Sequence, residues 1–276
     1  MKKYIIKGPT NSISGTVNIN GAKNSCLPLM AASILFKDKV ILKNVPLVKD
    51  VITMKNLLIS LGSKVEILKT NKMIIKNSKP HKRRVPYKLV STMRAGVLTM
   101  GSLLGRYQKK KIYVAKGGGC SLGIRDINYH LSGFESLSAE HRLEKGYVRI
   151  YSKNGLVGGS YKFPKVSVTG TSNLIMASVL SKGMHIIRNI SIEPEVIDLI
   201  TFLNNSGSKI KFIGKRSIKI LGVTELTKGE HTIIGDRIEA FSYLCVGAIT
   251  KGNVLVKNIN PKFLSTEIEV LKKMGC

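Results

Sequence analysis

The sequence predicts an α/β protein built from repeated units of about 70 residues. Three observations carry that expectation. Ala32-Ser33-Ile34-Leu35, Val40-Ile41-Leu42, Asn44 and Leu61-Gly62-Ser63-Lys64-Val65 recur, 145 residues later and without a gap, as Ala177-Ser178-Val179-Leu180, His185-Ile186-Ile187, Asn189 and Ser206-Gly207-Ser208-Lys209-Ile210. A further copy begins at Val254-Leu255-Val256 with Asn258 and reaches Met274-Gly275. Its offset from the preceding copy is about half as long, so the long interval holds two units.

Each unit reads helix, strand, loop, helix, glycine, strand. The second helix is amphipathic: Val51, Met54, Leu58 and Leu61 share one face in the first copy, and Val196, Leu199, Ile200 and Leu203 in the third. Gly62, Gly207 and Gly275 suit the left-handed cap that ends a helix, where a side chain is strained. The strands that follow, Lys64-Val65-Glu66-Ile67 and Lys209-Ile210-Lys211-Phe212, are short and β-branched. The second copy is degraded. It has a helix from Met93-Arg94-Ala95-Gly96, a strand at Lys111-Ile112-Tyr113-Val114, an insertion at Gly117-Gly118-Gly119 and a helix ending near Leu137-Ser138.

The count of units predicts one complete three-repeat domain over residues 22–234. Residues 1–21 and 235–276 then form a second, incomplete domain. The last copy stops at its cap, where only Cys276 follows Gly275, so the expectation is a C-terminally truncated chain. No low-complexity linker marks a flexible boundary.

The chain is strongly basic, with a formal net charge of +29 over 276 residues. Its lysines are scattered, and the densest runs, Lys82-Arg83-Arg84 and Lys109-Lys110-Lys111, lack interleaved aromatic residues. Compositional drift and solvated faces explain this better than nucleic-acid binding. A basic nucleic-acid-binding or scaffold protein stands as the alternative, to be separated by whether the cations converge on one cleft. No apolar run approaches a membrane span, and Tyr4-Ile5-Ile6 is too short for a signal-peptide core, so the expected location is the cytoplasm. The four cysteines form no Cys-x-x-Cys pair and have no histidine cluster beside them, so neither a metal site nor a disulfide framework is expected. Cys26 and Cys245 lie in apolar helical runs and read as core residues. Cys120 lies among glycines and next to cations, surroundings that make a thiol reactive.

Several segments together resemble the enolpyruvyl transferase family. They are Gly21-Ala22-Lys23-Asn24, Asn44-Val45-Pro46 with Asp50, Thr92-Met93-Arg94-Ala95, Lys165-Val166-Ser167-Val168, Glu193-Pro194-Glu195 and Asp236-Arg237-Ile238-Glu239. The most diagnostic is Gly118-Gly119-Cys120-Ser121-Leu122-Gly123-Ile124-Arg125, with His130 beyond it, which is similar to the cell-wall branch of the family. The shikimate-pathway branch is the nearest alternative, and the Gly-Gly-Cys loop argues against it.

The resemblance implies an inside-out α/β barrel architecture with the second domain incomplete. It implies a transferase that moves the enolpyruvyl group of phosphoenolpyruvate to the 3-hydroxyl of UDP-N-acetylglucosamine, releasing phosphate, in peptidoglycan precursor synthesis and hence in cell-shape maintenance and division. It implies no cofactor, no metal and no nucleic-acid or membrane partner, and leaves the oligomeric state open. By the same resemblance Cys120, Lys23 and Arg125 are catalytic, with Cys120 the fosfomycin target. Lys23, Asn24, Arg94, Arg125, Asp126, Ile127, Asn128, Lys165, Ser167 and Val168 bind substrate. Phosphoenolpyruvate, with its phosphate and carboxylate, needs several fixed cations: Arg125 can fork onto phosphate oxygens, while Lys23 offers a mobile point charge. The family has Pro, an apolar residue and Asp where Asp126-Ile127-Asn128 stand, and a usual glycine where Thr169 stands. The family's general base and a further phosphoenolpyruvate-gripping arginine fall beyond residue 276, so this chain is expected to have little or no activity alone.

Overall fold

The structure is a computed structural model that describes residues 5, 8, 12–77, 81–90, 93–115 and 127–276. The chain divides into two compact units, Lys23–Ile233 and Met1–Ala22 with Ile234–Cys276. In chain order the elements are β1 (Ser14–Asn18), α1 (Lys23–Ala32), β2 (Lys39–Lys43), α2 (Lys49–Leu61), β3 (Lys64–Leu68), β4 (Lys72–Lys76), β5 (Arg84–Val85), α3 (Tyr87–Val90) and α4 (Thr99–Arg106). Then come β6 (Ile112–Ala115), α5 (Asn128–Glu135), β7 (Glu140–Glu144), β8 (Tyr147–Tyr151), β9 (Gly159–Lys162), α6 (Val168–Ser178), β10 (Met184–Arg188), α7 (Pro194–Asn205), β11 (Lys209–Gly214), β12 (Ser217–Leu221), β13 (Gly229–Thr232), α8 (Arg237–Ile249), β14 (Asn253–Lys257) and α9 (Ser265–Lys273).

In the larger unit the same sheet appears three times among the described residues. The strand orders are β13-β2-β4-β3, β5-β6-β8-β7 and β9-β10-β12-β11. In each, the first pair is parallel and the other two pairs are antiparallel. Each repeat therefore contains two strands more than the sequence pattern indicated. One closes a hairpin behind the Gly-led strand, and one crosses over to begin the next sheet. The second escaped notice because it is short: β5 spans only Arg84–Val85 and β9 only Gly159–Lys162. The crossover strand of the third repeat, β13, returns to pair with β2 of the first. The unit is thus a closed ring of three sheets.

Helices fill the ring. α1, α4 and α6 are buried almost all round, and α2 and α7 bury one face each. The sheets alternate, with Val40, Leu42, Met73 and Ile75 inward and Lys39, Lys43, Lys64 and Lys76 out in solvent. Part of the positive charge thus lies on solvated sheet faces. α4 carries glycines where it meets α6. A Cβ on Gly101 would sit 2.2 Å from the Asn173 carbonyl oxygen, and one on Gly105 would sit 2.5 Å from that of Met176. The two backbones touch there, which only glycine allows.

The repeat markers have physical causes. Gly62 and Gly207 take φ of 117° and 99°, and the next residue's N–H returns to the helix: Ser63 to the Leu58 carbonyl, Ser208 to that of Leu203. Asn44, Asn189 and Asn258 end the first strand of their repeats at φ of 57°, 55° and 62°. Asn tolerates this left-handed region better than other residues with a side chain. Each then uses its amide the same way. Asn44 Nδ2 donates to the Ile233 carbonyl at 2.9 Å, Asn189 Nδ2 to that of Phe163 at 2.7 Å, and Asn258 Nδ2 to that of Ile19 at 2.6 Å. In each case the acceptor lies just past the parallel partner strand, so the amide ties the two strands of the seam together.

The smaller unit pairs β1 with β14 in parallel. Asp236 caps α8 by accepting the N–H groups of Ile238 and Glu239. Its core centres on Ile19, Ala240 and Leu264, and Gly275 ends α9 at φ 90°. Cys26 is fully buried in the larger unit, as its apolar run implies, whereas Cys245 on α8 is half-buried, because few side chains cover that helix. Among the described residues no helix is long and apolar enough to cross a membrane.

Candidate active site

The larger unit gathers several helix N-termini at one end. α4 and α6 run side by side in the same direction, since Gly101 meets Asn173 and Gly105 meets Met176 and Ala177. The turn that continues α1 ends at Leu35, whose carbonyl accepts Arg106 Nη1 at 3.0 Å at the end of α4. α1 also packs on the 3-10 turn Arg94–Leu98 that leads into α4. The three helices are therefore parallel. The first turns of α1 and α6 and the segment at Arg94 open on the same end, and the partial positive charge of helix N-termini favours anions there.

Lys23 opens α1, a position where a cation works against the helix dipole. The Asp50 carboxylate, in the first turn of α2, meets its ammonium at 3.0 Å. Both side chains are about 40% exposed (42% and 39%), so the pair contributes at most about 1 kcal/mol. Its effect is to aim Lys23. Asn24 beside it is exposed. The next residue, Ser25, turns inward and donates its hydroxyl to Asp198 of α7, and Asp198 also accepts His231 Nε2 of β13 at 2.7 Å. A buried carboxylate needs such partners. This network joins the first turn of α1 to the ring-closing strand.

At the head of α6, Ser167 is the N-cap and accepts the Gly170 N–H at 3.1 Å. Lys165 and Val168 are exposed at the same end, and Thr169 is half-buried. Ile127 packs against the core just before α5, and Asn128 is exposed as that helix's first residue. His130 is buried below them, where it meets Asn173 Nδ2 through Nδ1 at 2.7 Å and Thr169 Oγ1 through Nε2 at 3.4 Å. Its partners among the described residues include this amide and this hydroxyl.

Lys23 and Asn24 thus share one helix head, and Lys165, Ser167 and Val168 share another. Cys120, Arg125 and Asp126, with the rest of the glycine loop, lie outside the described residues, as does the side chain of Arg94. Sequence reasoning passed over Ser25, Asn173, Asp198 and His231. Two signals were available: Asp198 interrupts the apolar face of Val196, Leu199 and Ile200, and Asn173 interrupts the apolar run of α6. Among the described residues no group of three or more His, Cys, Asp or Glu could hold a metal ion.

The family model for EPSP synthase (3-phosphoshikimate 1-carboxyvinyltransferase) matches residues 7–276. The chain belongs to the EPSP synthase family. Within that family it is 44% identical over 275 residues to a UDP-N-acetylglucosamine 1-carboxyvinyltransferase from Pelagibacter ubique, covering 100% of this chain and 65% of that protein. It is 41% identical over 265 residues to one of the same name from Finegoldia magna, covering 96% of this chain and 62% of the relative. The chain thus spans less than two thirds of the length of these relatives. Among solved structures of the family's fold, the enolpyruvyl transferase NikO from Streptomyces tendae superposes with a TM-score of 0.82 at 17% identity, covering 95% of this chain and 62% of NikO. An EPSP synthase from Acinetobacter baumannii gives 0.75 at 19% identity, covering 97% of this chain and 61% of the other. These likenesses establish the inside-out α/β fold of the family.

Proposed function

We propose that this protein transfers the enolpyruvyl group of phosphoenolpyruvate to the 3-hydroxyl of UDP-N-acetylglucosamine and releases phosphate. The observation that carries this reading is identity of about two residues in five, sustained along the whole chain, with relatives named for that activity. The arrangement of helix heads supports it, because it sets a lysine, exposed polar groups and helix N-termini at one end of the unit. In the reading, residues 22–234 form the domain that carries the Cys120 loop.

In this scheme Lys23, Arg94 and Arg125 hold the phosphate and carboxylate of phosphoenolpyruvate, with charge-assisted hydrogen bonds that strengthen as negative charge develops. Asp50 keeps the Lys23 ammonium at the head of α1. Cys120 donates a proton at the enol carbon or assists product release. Asn24, Lys165, Ser167 and Val168 contact the sugar nucleotide, with Asp126, Ile127 and Asn128 beside its uracil. No cofactor takes part.

The test compares phosphate release from phosphoenolpyruvate with UDP-N-acetylglucosamine and with shikimate 3-phosphate as acceptors. Thermal shifts of the protein with each acceptor run alongside. Stabilisation by the sugar nucleotide alone is expected, and any phosphate release is expected with that acceptor alone. A response to shikimate 3-phosphate alone would overturn the assignment.

A further inference from the structure

Asn173, in the middle of α6, is wholly buried and is fixed by backbone groups on both sides of its amide. The Gly101 N–H can only donate, so the amide atom 2.8 Å from it is the oxygen, Oδ1. The Val97 carbonyl can only accept, so the atom 3.0 Å from it is the nitrogen, Nδ2. These two contacts decide which way round the amide sits. Nδ2 also lies 2.7 Å from His130 Nδ1. With one amide hydrogen directed to Val97, the other points at the imidazole, and a donor there requires a lone pair on Nδ1. A proton on Nδ1 would set N–H against N–H. The imidazole proton therefore sits on Nε2, which faces the Thr169 hydroxyl at 3.4 Å.

We propose that Asn173 is a positioning residue that holds His130 in the Nε2–H tautomer. An imidazole N–H is thereby kept between the start of α5 and the first turn of α6. One amide also ties together three segments: the turn that carries Arg94, the helix that Ile127 and Asn128 lead into, and the helix head of Ser167 and Val168. The inference rests on the proposed function only in taking these segments as parts of a substrate site; the tautomer itself follows from the hydrogen bonds.

The test is nitrogen NMR on protein labelled at histidine, with the His130 signals identified by their loss in His130→Gln. A protonated Nε2 and an unprotonated Nδ1 are expected. Thr169→Val should leave the tautomer unchanged, since Thr169 does not dictate it. Asn173→Asp should invert it, because a carboxylate facing Nδ1 demands a proton there. Nδ1–H in the unsubstituted protein, or signals averaged between tautomers, would overturn the proposal, and so would a folded Asn173→Asp protein with an unchanged tautomer. The unsubstituted spectrum decides even if Asn173→Asp does not fold. Adding UDP-N-acetylglucosamine separates the two readings. Shifted His130 signals tie the locked ring to the substrate site. Unmoved signals with the Nε2–H tautomer intact leave the lock standing and count against the functional reading.

Discussion

The first and third repeats of the larger unit obey the same local rules, and the second does not. The first and third each end the amphipathic helix at a glycine and turn out of the first strand at an Asn clamp. The second puts Ser138 at the left-handed cap position, with φ 64°, and the Ala139 N–H closes on the Phe134 carbonyl as Ser63 and Ser208 close on theirs. It also receives the shortest crossover strand, β5, and enters its first helix through a 3-10 turn. This is the repeat that carries the glycine loop with Cys120. Departures from locally consistent structure gather at functional segments, where other demands outweigh stability. The regular repeats are joined by a buried carboxylate network, the irregular one by helix backbones in contact at Gly101 and by the amide of Asn173.

The sharpest break in this comparison is at Asp198. Asp198→Ala leaves the half-buried His231 and the buried Ser25 hydroxyl without their common partner. Leaving a buried hydrogen-bonding group without its partner costs about 1–3 kcal/mol. Urea unfolding should show a loss of that size, with Asp198→Asn milder because it keeps an acceptor. A loss under about 1 kcal/mol would mean that the ring closes without the network.

Acid sharpens the comparison further. His81 and His185 are both buried, and desolvation pushes each ring's pKa from 6.5 down to about 4, with Arg106 adding to the effect at His81. His185 occupies an inward strand position where the first repeat has Val40. Its Nε2 meets Ser181 Oγ at 2.6 Å, and among the described residues its Nδ1 has no partner. Because the folded-state pKa lies below the unfolded one, the unfolded chain binds protons first. Stability is then complete above about pH 6.5 and falls as the pH drops toward 4. Each ring contributes about 3 kcal/mol to that fall, at about 1.4 kcal/mol per pKa unit. Urea midpoints across this range should trace the decline, and His185→Val should remove roughly half of it.

The repeats were legible because their markers are local. A left-handed cap selects glycine and a left-handed strand end selects Asn, whatever surrounds them. What Asn44 binds was not legible, because the Ile233 carbonyl reaches it only when β13 closes the ring. The same holds for His231, whose partner Asp198 lies on another element. At the candidate site, Lys23, Asn24, Ser167 and Val168 could be named from motifs, but the parallel packing that turns their helices to one end depends on the Gly101 and Gly105 contacts. The crossover strands were missed because runs of two to four residues give no periodicity to read.

The Asn clamps allow a finer test. Asn189→Ala loses a hydrogen bond worth about 1 kcal/mol and puts alanine at a positive φ, at a cost of about 1 kcal/mol more. Asn189→Gly loses the hydrogen bond and about 0.5 kcal/mol to glycine's freedom in the unfolded chain, but takes the positive φ without strain. The alanine variant should therefore unfold at lower urea than the glycine variant, and the Asn44 pair should behave alike. Equal losses for alanine and glycine would show that the positive φ costs alanine no more than glycine loses to its freedom in the unfolded chain.

The smallest expected effect addresses the contrast most directly. Ser138→Gly gives the second repeat the cap that the other two possess. Ser138 is exposed, so no buried packing is lost, and the left-handed strain of a residue with a side chain, about 1–2 kcal/mol, is relieved. Glycine's greater freedom in the unfolded chain returns about 0.5–1 kcal/mol of that. A net gain of about 0.5–1 kcal/mol is expected as a rise in the urea midpoint. The reciprocal change isolates the cause. At Gly207 the nearest atom to an added Cβ is Thr227 Oγ1 at 4.0 Å, so Gly207→Ser meets no clash and should lose stability through its backbone alone. Opposite shifts of similar size would show that one conformational rule governs both caps and that the second repeat tolerates its violation. If Ser138→Gly is neutral while Gly207→Ser is costly, the second repeat's turn is held by something other than cap geometry.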